Sequence, residues 1–199
     1  LAAAEKLQDI LAVTVLLNDT SEPPLTKDFD AVRGRLKRAS GALGQFEVTI
    51  DALQQVTPGG RQWGWTLPRD VGQTHCDIIL DFTGGTSLFP APEKREGYLR
   101  ADPKHAPSVA DAILQASQMV GTFEKPLYVR NETLLCAHSC AGQTGCSNCL
   151  DICPTGAITP NGDHVSIDPM ICAGCSSCAT LCPSGALIYD APPTESLMR

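Results

Sequence analysis

The chain has 199 residues, enough for one large or two small domains, with 43% apolar and only 5% aromatic residues. No apolar run approaches the roughly 20 residues needed to cross a bilayer, and no signal-peptide pattern opens the chain. The net charge of −7 is uneven: residues 1–130 hold 14 Lys and Arg against 16 Asp and Glu, while residues 131–199 hold Arg199 alone against Glu132, Asp151, Asp163, Asp168, Asp190 and Glu195, too few bases to neutralise nucleic-acid phosphate.

Leu1 opens inside a helical pattern, which predicts a piece of a longer protein. Ala2 to Leu11 reads as a helix and Ala12 to Leu17 as a buried strand. "SEPPLT" breaks the chain. Residues 27–40 place Phe29, Val32, Leu36 and Ala39 at helical spacing, with Gly41 as a stop. "QFEVTIDAL" alternates as a strand does, "TPGGRQWGW" reads as a loop, and "CDIILDF" as a second buried strand closed by Gly84 and Gly85. A Pro- and charge-rich connection runs from Ser87 to about Ala106. "PSVADAILQASQMVG" is then a helix, with Pro107 near its start and Gly121 at its end. Alternating strands and helices predict a small α/β layer, and the composition changes after about Phe123. The expected organisation is therefore α+β: an α/β domain over residues 1–125, then a cysteine-rich domain over 126–199.

Nine of the ten cysteines fall between Cys136 and Cys182. Crowding of this kind means disulfides, a metal or an iron–sulfur site, and nothing in the sequence points to secretion, so a metal site in a cytoplasmic protein is the expectation. "CSNCLDICPTGAI" (Cys146 to Ile158) recurs as "CSSCATLCPSGAL" (Cys175 to Leu187) at an offset of 29. Between the copies, "AITPNGDHVSID" reads as a hairpin turning at Asn161-Gly162. Two similar halves about a pseudo-two-fold axis are predicted.

The run from Cys172 is C-x2-C-x2-C-x3-C-P, in which three thiolates on a tight loop hold one cluster and the fourth cysteine serves the other. The fourth cysteine is expected to begin a short helix. The offset of 29 carries Cys172 onto Gln143, which cannot supply a thiolate, so the missing ligand comes from Cys140 or Cys136. Loop closure separates these two little. Two [4Fe-4S] clusters follow: one on Cys146, Cys149, Cys182 and either Cys136 or Cys140, the other on Cys172, Cys175, Cys178 and Cys153. Zinc is the rival, since paired Cys-x2-Cys suits a tetrahedral ion, but three evenly spaced cysteines with a distant Cys-Pro do not make a usual zinc ribbon.

Residues from about 131 to 192 resemble a bacterial-type dicluster ferredoxin domain. Through "EKREGYLRADP", "ASQMVGTFEKPLYVR" and "QTGCSNCLDICPTGAITP", the wider chain resembles the 4Fe-4S ferredoxin-type proteins encoded beside proteobacterial formate dehydrogenase genes. In that family the position of Cys140 is usually arginine and that of Cys136 cysteine, so the resemblance implies Cys136 as the ligand; Cys140 is a departure from the pattern. It also implies an electron carrier with a redox partner such as formate dehydrogenase. A structural or redox-sensing protein, and the electron-input domain of a larger oxidoreductase, are the alternatives. No catalytic residue is indicated.

Weaker signals have plain readings. "DFTGGTSLF" lacks the dinucleotide and Walker patterns and reads as a tight turn. Cys76 reads as a buried apolar residue, His138 as a solvated loop histidine, Trp63 and Trp65 as packing, and Arg33 to Arg38 as one solvated helix face.

Overall fold

The computed structural model describes residues 1–18, 22–24, 28–57, 63–140, 143–193 and 196. The chain forms two compact units: Leu1–Leu88 with Gly97–Gly121, and Phe89–Glu96 with Thr122–Arg199.

In the first unit, helix α1 (Ala2–Leu7) is followed by strands β1 (Thr14–Leu17), β2 (Asp30–Ser40), β3 (Phe46–Thr57), β4 (Gly64–Trp65) and β5 (Gly72–Cys76). These make one sheet in the order β1-β2-β3-β4, with β5 also on β3; β1 runs parallel to β2 and the other pairs are antiparallel. Alternation along β3 buries Phe46, Val48 and Ile50, as the sequence pattern required. A separate parallel pair joins β6 (Ile79–Asp81) to β7 (Tyr98–Arg100). Helix α2 (Ala106–Gln118) has His105 as its N-cap, whose ring accepts from the Ser108 N–H at 3.3 Å, and packs Ala112 and Ala116 inward.

The helix expected over residues 27–40 is instead strand β2. Leu36 pairs with Ile50 and Ala39 with Val48, while the register slips between Leu36 and Arg38. The slip is a β-bulge that leaves Lys37 without an opposite number. It puts Leu36 and Ala39 on one face three residues apart, and that spacing imitates a helix. Helices and strands are therefore mixed in this unit, but not by alternation. Strand β5 and strand β7 went unseen in the sequence, and "CDIILDF" splits between β5 and β6. Of the expected loop at 57–65, residues 58–62 lie outside the described residues and Gly64–Trp65 forms β4. Helix α1 stops at Leu7 rather than Leu11.

In the second unit, strands β8 (Val129–Asn131) and β13 (Leu187–Tyr189) form one antiparallel ribbon, and β11 (Ile158–Asn161) and β12 (His164–Ile167) another. The β11–β12 turn has Gly162 and Asp163 as its central residues, one position later than expected, with Gly162 at φ 64°. Helices α3 (Asn148–Ile152) and α4 (Ser177–Leu181) pack on each other. The core comprises Val129, Ile158, Val165 and Leu187 together with two thiols, Cys149 and Cys178.

Candidate metal centre

The repeat folds as a repeat. Cys153 closes α3 at φ −69°, ψ 109°, and Cys182 closes α4 at φ −72°, ψ 110°. The next residue is proline in each case, and its ring forces the preceding residue out of the helical region. The fourth cysteine therefore ends its short helix; the expectation that it begins one is corrected. Gly156 and Gly185 each donate to the carbonyl of their Cys at 3.4 Å. The Thr155 hydroxyl lies 3.7 Å from the Cys153 sulfur, and the Ser184 hydroxyl 3.6 Å from that of Cys182.

Upstream of the repeat the correspondence continues at a different offset. The Asp168 N–H donates to Ala157 at 2.8 Å, and the Glu132 N–H donates to Ala186 at 2.7 Å. Asp168 and Glu132 are 36 residues apart, as are Cys172 and Cys136. "Cys172-Ala173-Gly174-Cys175" is thus matched by Cys136-Ala137 and Gly145-Cys146, with seven residues inserted between them. The insertion leaves and returns at one point. Gly145 donates to the His138 carbonyl at 2.7 Å and Cys146 to that of Ala137 at 2.9 Å, while β9 (Ser139–Cys140) pairs with β10 (Gln143–Thr144).

These elements gather the thiols into two sets. Cys136, Cys146, Cys149 and Cys182 line one cavity; Cys153, Cys172, Cys175 and Cys178 line another. Cys140 is exposed and lines neither. Each buried thiol feels its own set. Burial pushes the Cys149 thiol above its usual range, and the neighbouring Cys136, Cys146 and Cys182 push it further. Burial raises Cys178 to about 11, reinforced by Cys172, Cys153 and Cys175. Two exposed-side thiols go the other way. At Cys182 burial is outweighed by the backbone N–H groups of Leu187, Ser184 and Ala186 and the Ser184 hydroxyl. At Cys175 it is outweighed by the Ser177 N–H and hydroxyl and the charge of Lys94.

The donor chemistry fits iron and sulfide. A single zinc ion draws four thiolates to about 2.3 Å from one point, but among the described residues no three His, Cys, Asp or Glu side chains converge tightly enough to hold one ion. A cluster with one thiolate per iron takes its ligands from around a cavity, and the four cysteines of each set line one.

Residues 144–186 match the 4Fe-4S dicluster domain. The chain carries a ferredoxin-type domain, whose chemistry is iron–sulfur electron transfer. The match covers a minority of the chain, and Cys136 lies outside it. No curated protein matches the sequence. Among the described residues, no helix is long and apolar enough to cross a membrane.

Arg95 and Lys125 carry no signal in the sequence, and the reading of His138 as solvated is corrected. His138 is buried rather than solvated, with Nδ1 2.9 Å from the Cys146 carbonyl; a histidine two positions after a ligand candidate was the available signal. Arg95 is buried, its Nη2 donating to the Thr155 carbonyl at 3.1 Å and its guanidinium stacked 4.8 Å from the Phe89 ring centre. Lys125 donates to the Met170 carbonyl at 2.9 Å and pairs with Glu96 at 3.2 Å. Of the remaining weak signals, "DFTGGTSLF" is a turn closed by Asp81, whose Oδ1 accepts from the Thr83 N–H and hydroxyl at 2.9 and 2.7 Å. Cys76 is half-buried at the end of β5, and burial followed by the charge of Asp77 raises its thiol. Arg33 to Arg38 lie along β2.

Proposed function

We propose that this chain is an electron carrier with two [4Fe-4S] clusters, one on Cys136, Cys146, Cys149 and Cys182 and the other on Cys153, Cys172, Cys175 and Cys178. Each cluster supplies one-electron chemistry when bound. The chain's own residues keep the thiolates in place, shield Cys149 and Cys178 from water, and direct N–H groups at Cys175 and Cys182. Four thiolates leave no iron open to a substrate, which favours transport over catalysis. Each short helix links the two sites. Cys149 lies in α3 and Cys153 ends it, so their Cα atoms are about 6 Å apart at the helical rise, yet they face different cavities. That closeness suits electron passage from one cluster to the other.

The observation that carries this reading is the division of eight thiols into two four-thiol cavities. The working unit is residues 126–199, joined by the Phe89–Glu96 segment. The resemblance to proteins encoded beside formate dehydrogenase genes supports a cytoplasmic redox partner of that class. Iron and sulfide analysis of anaerobically purified protein tests the cluster reading, with about eight of each expected per chain; colourless protein carrying zinc alone would overturn it. Reduction by a formate dehydrogenase with formate, followed spectroscopically, tests the partner.

A further inference from the structure

The two cavities share a fold but not an electrostatic environment. Resting on the two-cluster reading above, we propose that the Phe89–Glu96 segment makes the sites unequal: Arg95 raises the reduction potential of the cluster on Cys153, Cys172, Cys175 and Cys178 above that of its partner, so this cluster takes the first electron from the redox partner.

The geometry is local to the second unit. Arg95 is 7% exposed and donates to the carbonyl of Thr155, itself 2% exposed and two residues past Cys153. The Thr155 hydroxyl touches the Cys153 sulfur. Burying a guanidinium is tolerated where anions face it, and the anions that sustain the charge of Arg95 against its burial are Asp168 and the Cys153 thiolate. Lys94, the residue before, exerts its charge on Cys175. Lys125 holds the Met170 carbonyl, two residues ahead of Cys172, although Glu96 offsets its charge.

The internal repeat supplies the control. Thr155 corresponds to Ser184, and Met170 to Leu134; among the described residues no cationic side chain donates to either of those carbonyls. Asp168 corresponds to Glu132, so the acids match between the halves. Glu132 pairs with Arg130 at 3.3 Å, but both are about half exposed, where solvent and salt screen them. The buried cation is what remains after the comparison. A reduced four-thiolate cluster carries one more negative charge than the oxidised one, and a fixed positive charge in a water-poor site stabilises that state.

The test is a dithionite redox titration of the full chain followed by electron paramagnetic resonance. Cys146→Ser and Cys175→Ser each alter the signal of one cluster and so assign the steps. In the unaltered protein, the higher-potential step should belong to the Cys175 cluster; assignment to the other cluster overturns the proposal without any Arg95 variant. Arg95→Gln should lower that step by at least tenfold in its reduction equilibrium, about 59 mV for one electron, and leave the other step in place. Arg95→Lys should keep most of the separation. If Arg95→Gln moves neither step, or Arg95→Lys falls as far as Arg95→Gln, charge at this position is not the cause. Failure of the underlying reading looks different, because protein without an iron–sulfur signal reveals it before any titration begins.

Discussion

The half of the second unit around Cys172–Cys182 runs without interruption, whereas the half around Cys136–Cys153 carries seven extra residues between Ala137 and Gly145. Yet the two end alike. Matching dihedrals at Cys153 and Cys182, matching turns at Gly156 and Gly185, and paired hydrogen bonds at Asp168 and Glu132 show the same local structure twice. The thiol loop is therefore set by its two ends, which the ribbons and short helices fix, and additions are accepted where the chain already leaves the loop. What lies outside the loop is free to differ. Thr155, in the lining of one cavity, holds a buried arginine brought from more than fifty residues away in sequence; the other cavity has a buried histidine from the insertion boundary in its lining.

The sharpest way to break this correspondence is at the first ligand. If Cys136 stands where Cys172 does, Cys136→Ser should cost the first cluster, taking iron from about eight per chain to about four. Cys140→Ser should leave iron unchanged, because Cys140 is exposed and outside the cavity. Iron analysis with sulfide counts on both variants decides between them. Loss of iron in Cys140→Ser with retention in Cys136→Ser would mean that the insertion, not the segment before it, supplies the thiolate.

The cysteine pattern was legible because ligand spacing is a local property: the three thiolates of one loop lie within seven residues, and the repeat announces the second copy. The exchange of Cys153 and Cys182 is not local: it is expected from the ferredoxin-type run, whose fourth cysteine serves the other site, and Cys182 lines the cavity of Cys146 and Cys149 while Cys153 lines that of Cys172, Cys175 and Cys178. The offset of 29 leaves Cys136 and Cys140 both open at the place of Cys172, and only the family resemblance favours Cys136. The signal existed, since "Cys-Ala" recurs at 136 and 172 behind Val129 and Val165 at an offset of 36. The first unit was less readable. A bulge at Lys37 disguised β2, and short strands such as β7 are held by a partner remote in sequence rather than by their own pattern. Arg95 was invisible as a site residue because its environment is made by Thr155 and Phe89, and no local spacing announces such a meeting. Residues 131–199 hold Arg199 alone, yet Lys94, Arg95, Lys125 and Arg130, all earlier in the chain, also belong to the second unit.

A smaller effect sharpens the comparison at the loop's glycine. A Cβ on Gly174 would stand 2.7–2.9 Å from the Tyr128 ring, and its φ is 67°. On Gly145, the counterpart, a Cβ would meet the Ala137 carbonyl oxygen at 2.8 Å without a left-handed backbone to strain it. Gly174→Ala should cost about 1–3 kcal/mol from overpacking and about 1–2 kcal/mol more from its left-handed conformation. Gly145→Ala should cost only the steric part. Denaturant midpoints followed by loss of the visible iron–sulfur absorbance would compare them, and a larger loss for Gly145→Ala would show that the contact with the Ala137 carbonyl outweighs the left-handed conformation of Gly174.

Excising residues 138–144 should leave both clusters in place, and it tests the correspondence along the whole first loop. Joining Ala137 to Gly145 turns the first loop into Cys-Ala-Gly-Cys, the sequence of Cys172 to Cys175. The deletion shortens a loop, which by closure entropy changes stability by well under 1 kcal/mol per halving of length. Against that it removes the His138 contact with the Cys146 carbonyl and the Ser139 N–H bond to the Asp163 carbonyl at 3.2 Å, each worth about 1 kcal/mol net. The ends to be joined already lie together, since Cys146 donates to the Ala137 carbonyl at 2.9 Å, and Gly145, as a glycine, can adopt the left-handed conformation of Gly174. The shortened protein should keep about eight iron and two reducible clusters, with stability lower by about 1–2 kcal/mol. Iron content and a redox titration check both. Loss of four iron on excision, with Cys136 intact, would show that the inserted residues shape the first site and that the two halves are alike only in outline.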